Sequence, residues 1–365
     1  MSMPKNLCRV MLVVFAAFAS PAAHGAELTL YNWADYTPRS VLDDFAAETG
    51  HRVKLKTFET AEEMEAALQS GAVFDLTVPT AQPYFGPQIQ QGLFQPLDMN
   101  LIPRASTLDA RLMKGAADAD PGNKYGVIYA WGTTGFGIDA AALTKRFPEV
   151  QLDSWQLIFD EQSVRRFADC GVSLLDSPSE VVPHVMLALG KDPNNQSLAD
   201  LEEVFARLQK IRPYVQLNAE TYADDLAAGK LCLAFGYSGD LVRAAETAKA
   251  KGRALTYILP KEGAMMWFDM LAIPSTAKNY EIAHSFINFM LKPENAAKIS
   301  NEYLFATAVP ASWDLVKPDL RKNPNIFPPA DVRQKLFVQK AITPRFQREI
   351  ERRWEELKKS VTPVP

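Results

Sequence analysis

Leu28-Thr29-Leu30-Tyr31-Asn32-Trp33-Ala34-Asp35-Tyr36-Thr37-Pro38 is the stretch on which the reading of this 365-residue chain turns. Leu28 to Leu30 is a short apolar run of strand type. Thr37-Pro38 reads as a helix entry, with Pro at the first helical position. A Trp, a carboxylate and a Tyr are thereby crowded at the carboxyl end of a strand, the end at which α/β sheets hold ligands. An indole face beside a carboxylate suits an organic cation. The alternative for these residues alone is a core Trp33 with Asp35 or Thr37 capping the helix.

Working outward, the chain alternates strands and helices. Val41, Leu42 and Phe45 share one face of a helix stopped at Gly50. His51 to Phe58 alternates apolar and basic residues, as a half-exposed strand does. Thr60 to Glu63 spells a capping box for a helix that turns Met64, Ala67 and Leu68 inward. Phe74 to Val78 is the next strand, and Pro79-Thr80-Ala81 turns at its end. This β, α, β, α, β order predicts a mostly parallel sheet with crossover helices.

Tyr125 to Trp131 is a further strand, broken at Gly132-Thr133-Thr134-Gly135 and resumed over Phe136 to Ile138, which reads as a crossing between two lobes. A second α/β series follows. The strand Val172 to Leu175 runs through Asp176-Ser177-Pro178-Ser179-Glu180 into a helix, and Leu231 to Phe235 runs through Gly236-Tyr237-Ser238-Gly239-Asp240 into another. Leu255 to Leu259 is the second candidate crossing, ahead of the strand Trp267-Phe268-Asp269-Met270-Leu271. The expected fold is α/β with two lobes, each a mostly parallel sheet flanked by helices. Residues 26–131 plus 252–302 form lobe 1, and 132–251 plus 303–365 form lobe 2.

Residues 1–25 read as a cleaved export signal: basic Lys5 and Arg9, an apolar run from Val10 to Phe18, then Ala23-His24-Gly25 with small residues at the cleavage positions. That run is too short to span a bilayer. Its removal takes the net charge from −4 to −6, which disfavours nucleic acid and anionic membrane surfaces as partners. Cys170 and Cys232 remain. In an exported chain such a pair reads as a disulfide, the alternative being two separate buried thiols.

Asp35, Glu180, Asp240 and Asp269 each lie in or beside a strand near a loop, three of them with aromatic company in Trp33, Tyr36, Tyr237, Trp267 and Phe268. If the lobes face each other, these acids converge on the cleft as a cage for a multiply positive ligand. A glycosidase pair of acids is a rival reading, but it leaves the repeated aromatic–acid pattern unexplained. No nucleophile elbow, phosphate loop or dinucleotide fingerprint is present. His51, His184 and His284 lack metal-ligand spacing. A receptor for a hard metal cation would use acids but not the aromatic rings. The chain is therefore expected to be neither an enzyme nor a holder of metal or cofactor.

The stretches Tyr31 to Tyr36, Phe74 to Thr80, Trp131 to Gly135, Asp176 to Val181, Gly236 to Asp240, Pro260-Lys261-Glu262-Gly263-Ala264 and Pro328 to Val332 together resemble the polyamine-binding periplasmic solute-binding proteins of ABC importers. The likeness runs from about residue 27 to the C-terminus and is closer to the putrescine branch, which carries a similar cysteine pair. It implies the two-lobe periplasmic-binding-protein fold (type II-like) and a monomer in the periplasm that delivers its ligand to a membrane permease. A receptor that feeds a signalling protein would carry the same site. It further implies a cleft lined by Trp33, Ala34, Asp35, Tyr36, Thr80, Glu180, Tyr237, Asp240, Trp267, Asp269 and Phe305. Phe305 stands where the family usually has Tyr, Tyr237 where Trp is usual, Ala34 where Ser or Thr is usual, and Trp267 where a smaller Phe is frequent. Those departures leave putrescine, spermidine, agmatine and cadaverine as expected ligands.

Overall fold

The computed structural model describes residues 25–360; the expected signal segment, Gly25 apart, lies outside them. Among the described residues eleven strands form one mixed sheet. They are β1 Glu27–Trp33, β2 Arg52–Phe58, β3 Leu76–Thr77, β4 Phe94–Gln95, β5 Gly126–Ile138, β6 Val172–Leu174, β7 Gln216–Leu217, β8 Leu233–Tyr237, β9 Thr256–Ile258, β10 Ala264–Pro274 and β11 Leu336–Phe337. The main path is β2-β1-β3-β10-β5-β8-β6-β7. A parallel trio stands at each end. Between them β10 and β5 run antiparallel to each other and to their outer neighbours.

Local signals account for the first trio. The helix Arg39–Thr49 buries Val41, Leu42 and Phe45 and ends on Gly50 at φ 76°, a backbone angle at which a side chain would be strained. Pro38 occupies the cap rather than the first helical position. Thr60 caps the helix Ala61–Gln69 by accepting from the Glu63 amide, while the Glu63 carboxylate accepts from Glu59, one residue before the partner a capping box uses.

Two hydrophobic cores flank the central pair. One gathers Leu28 to Trp131, Trp267 to Ile273 and Phe305 to Val309. The other gathers Phe136 to Tyr257, Ala264 and the C-terminal helix Pro344–Lys359 through Phe346, Ile350, Trp354 and Leu357. Both β5 and β10 contribute to each core, so these are the strands that join the lobes.

The structure differs from the sequence expectation here in two ways. The break at Gly132 to Gly135 is absent, because β5 is one strand of 13 residues, all buried. Glycine is needed at 132 because a Cβ there would lie 2.5 Å from the Trp267 ring; the residue marks a close approach, not a turn. Leu255 to Leu259 is not a crossing: β9 pairs only with Phe136–Ile138 and packs in the second core, so the second crossing is β10. Leu255, Tyr257, Ile258, Leu259 and Ala264 pack in the second core, and Phe305, Ala306, Ala308 and Val309 in the first.

Cys170 and Cys232 form a disulfide, with Cα atoms 5.5 Å apart and a sequence separation of 62. It ties the entry of β6 to the entry of β8. Closing a loop of that length stabilises the fold by about 4 kcal/mol in the chain-entropy account. Replacing both cysteines with Ser is expected to lower unfolding stability by roughly that amount, measured by denaturant titration. A loss within error of zero would contradict the assignment of the bond to stability.

Candidate functional site

The carboxyl ends of the strands meet at the junction of the two cores and enclose a cavity. The first lobe supplies Trp33 from the end of β1, Glu59 from the end of β2 and Thr80 just after β3. From the second lobe come Glu180, in the first turn of the helix Pro178–Ala188 after β6, and Tyr237 with Asp240, at the start of the helix Ser238–Ala250 after β8. Carboxylates in a first helical turn also meet the positive end of the helix dipole. Trp267 and Asp269 come from β10 itself.

Asp269 is held by two hydroxyls. Thr80 Oγ1 donates to its Oδ1 at 2.7 Å and Tyr36 to its Oδ2 at 2.8 Å. The register of β10 on β5 shifts between Asp269 and Met270, leaving Tyr129 as the extra residue on β5. The Tyr129 hydroxyl donates to the Tyr36 carbonyl at 2.6 Å. The bulge thus fixes the residue that in turn fixes Asp269. Glu180 accepts from Thr134 at 2.8 Å, and Asp240 from Tyr222 at 2.6 Å.

Aromatic rings make the walls. Trp267 meets Tyr237 edge-on at 5.8 Å and Phe305 at 5.5 Å between centroids. Phe305 meets Tyr36 at 5.1 Å. Phe305 also lies over Gly239, where a Cβ would come within 2.5 Å of its ring. Trp33 is held in place by its indole N–H, which donates to the Val78 carbonyl at 3.0 Å. Ala34 lines the cavity with its backbone tied to the Phe58 carbonyl at 3.0 Å.

Ten of the eleven sequence-derived residues line this cavity; Asp35 does not. Its side chain is 74% exposed and faces Arg243 of the second lobe at 3.6 Å. The turn that follows β1 places Asp35 at φ 48°, and this backbone angle directs it to the rim. Glu59, just past the end of β2, is the fourth acid on the cavity wall. Sequence reading missed Glu59, Ala219 and Tyr222, which also line the cavity. Glu59 was findable, because it ends a strand just as Trp33 does; Tyr222 and Ala219 carried no comparable signal.

No Lys, Arg or His is among the residues lining the cavity. Asp269 and Glu180 consequently have no positive partner, whereas Asp240 has Arg243 beside it from outside the lining. Burial pushes Glu180 up to about 8, against the Thr134 hydrogen bond and with the nearby Asp269 charge adding to the rise. Burial likewise pushes Asp269 up to about 7, opposed by Thr80 and Tyr36. Asp240 is raised by burial, with Arg243 and Tyr222 pulling it back. Among the described residues no group of three or more His, Cys, Asp or Glu side chains is arranged to hold a metal ion.

Residues 40–328 match the model of the bacterial extracellular solute-binding protein family. The chain belongs to that family. Among relatives of this solute-binding protein, the putrescine-binding periplasmic protein PotF of Escherichia coli (strain K12) is 39% identical, the match covering 92% of each chain. The putrescine-binding periplasmic protein SpuD of Pseudomonas aeruginosa (strain UCBPP-PA14) is 35% identical, over 97% of this chain and 98% of the relative. A solved Listeria monocytogenes chain described as a spermidine/putrescine ABC transporter superposes with a TM-score of 0.81 at 31% identity, covering 91% of this chain and 98% of that one. The likeness establishes the two-lobe fold of solute-binding proteins. Among the described residues, no helix is long and apolar enough to cross a membrane.

The raised carboxyls make a prediction for the ligand-free solute-binding protein. Their folded pKa values, about 8 and about 7, lie above those of the unfolded chain, so the folded state holds protons the unfolded chain has released. The stability associated with the protonated carboxyls is fully present below about pH 4 and is lost as pH rises through 7 and 8. The melting temperature of ligand-free protein is expected to fall across that window, and Glu180→Gln to make the fall shallower. Equal slopes for the two proteins would contradict the burial of an uncompensated Glu180.

Proposed function

We propose that the protein captures a small organic polycation in this cavity by closure of the two lobes, with putrescine the favoured ligand, and passes it to an ABC permease from the periplasm. The single observation that carries the reading is a cavity with four acids on its wall and no basic side chain. Two of them, Glu180 and Asp269, are buried, and buried carboxylates are costly to hold charged unless a cation joins them. Each terminal ammonium of a diamine has three donors, and Asp269 and Glu180 are already oriented as acceptors by Thr80, Tyr36 and Thr134. The aromatic walls favour the methylene chain and add cation–π attraction of about 0.5–2 kcal/mol. The names of PotF and SpuD support putrescine in particular.

The reading is one of binding, not catalysis: the hydroxyl donors on the acids serve to fix acceptors. The moving bodies would be residues 26–133 with 266–309 and residues 134–265 with 310–360, hinged within β5 and β10. Ligand contacts from both sides favour the closed state because only there are all of them made. Export through the expected signal segment and the disulfide both agree with a periplasmic location.

Asp269→Asn is expected to weaken putrescine binding by roughly 10- to 150-fold, the range for losing a charge-assisted hydrogen bond, with the melting curve of the ligand-free protein still cooperative. Calorimetry showing near wild-type affinity would overturn the site. A second measurement tests the charge account. A dication drives Glu180 and Asp269 to ionise, so binding at pH 7 should release roughly one to two protons per ligand, read from calorimetry in buffers of differing ionisation heat. No net proton release would contradict it.

A further inference from the structure

Arg243 sits on the helix Ser238–Ala250 and reaches two carboxylates at once. Its guanidinium is 3.3 Å from Asp240 in its own lobe and 3.6 Å from Asp35 in the other. Asp240 lines the cavity, whereas Asp35 stands on the rim. The guanidinium therefore lies where the cavity opens, with its side chain one-third exposed. Asp240 has Tyr222 on one oxygen and Arg243 on the other. Asp269 and Glu180, by contrast, have only hydroxyl donors.

We infer that Arg243 is a specificity-determining residue: a resident cation at the mouth that limits how much positive charge a ligand brings. The inference rests on the reading of the cavity as a polycation site. An Arg side chain keeps its charge at every physiological pH. Two acids that face each other across the opening, Asp35 and Asp240, would otherwise be a third place for an ammonium group. With the guanidinium between them, that place is filled. A diamine needs only Asp269 and Glu180 and is accepted. A triamine of the spermidine type has to set its third charge beside a fixed positive group or displace it from two carboxylates.

Removing the charge should relax this discrimination. Glu59, Glu220 and Asp224 carry further negative charge that acts on the Glu59–Asp240 region from both lobes, so loss of Arg243 leaves the mouth strongly acidic. The test is calorimetry with putrescine and spermidine on the full mature chain as wild type, Arg243→Gln and Arg243→Lys. Gln is expected to raise spermidine affinity relative to putrescine by roughly tenfold, the scale of one additional charge-assisted hydrogen bond. Lys, which keeps the charge, is expected to hold the ratio near the wild-type value. An unchanged ratio in the Gln variant, or an equal shift in both variants, would overturn the role of the charge. If the wild-type protein bound no diamine at all, the reading of the cavity itself would fall. Binding of putrescine with an unmoved ratio would fell only the role of Arg243.

Discussion

The antiparallel pairing of β10 with β5 carries the architecture. Met266 to Ala272 lie against Thr133 to Gly126, and the two strands pass through both cores. Everything that gathers at the cavity is referred to this pair. Asp269 and Trp267 are on it, Thr80 bridges to Asp269 from the end of β3, and Tyr237 pairs with Thr134 on its far side. A bulge in the middle of the pair, rather than a loop, sets the direction of the central acid. A bulge held by ladder bonds on both sides is stiffer than a loop, which suits an acid whose direction has to be fixed.

The second lobe is tied to the same pair by a buried histidine. His184 Nδ1 donates to the Glu180 carbonyl at 2.6 Å, and its Nε2 accepts from the Met265 amide at 3.2 Å. Burial pushes His184 down to about 4, so the ring is neutral and can act as donor on one nitrogen and acceptor on the other. A charged ring there would lose the acceptor. The turn that bears Glu180 is thus locked to β10 by a group whose neutrality is maintained by the same low-polarity surroundings that raise the carboxyl. Burial serves both ends: it orients Glu180 through His184 and leaves the acid in need of an external cation.

Much of this was legible in the chain, and the limits follow from physics. The strand–helix order and the positions at strand ends rest on neighbours a few residues apart and were largely readable, although Pro38 sits one position earlier than expected and the Glu63 bond goes to Glu59. Register does not. That Trp267 lies over Gly132, and that Leu255 to Leu259 joins Phe136 instead of crossing, depends on partners more than a hundred residues away. Gly132 looked like a break because a glycine in a strand has two meanings, a turn or a close approach, and only the partner tells them apart. Asp35 turns on a different feature. Its residue type and its place after β1 both suited the cavity, but one left-handed backbone angle sent the carboxylate to the rim.

The departures from the family's usual residues also take on another meaning once their surroundings are known. Read one at a time, Tyr237 shrinks a wall, Trp267 enlarges one and Phe305 removes a hydroxyl. In the fold these three rings form a single edge-to-face chain, Tyr237 to Trp267 to Phe305, continued to Tyr36. The larger indole fills space next to the smaller phenol, and glycines at 132 and 239 admit the indole and the Phe305 ring against the backbone. The substitutions therefore offset one another in volume. Packed interiors tolerate exchanges that conserve total volume better than those that do not. The shape of the wall is then a property of the set of rings, while the negative charge of the cavity comes from the acids.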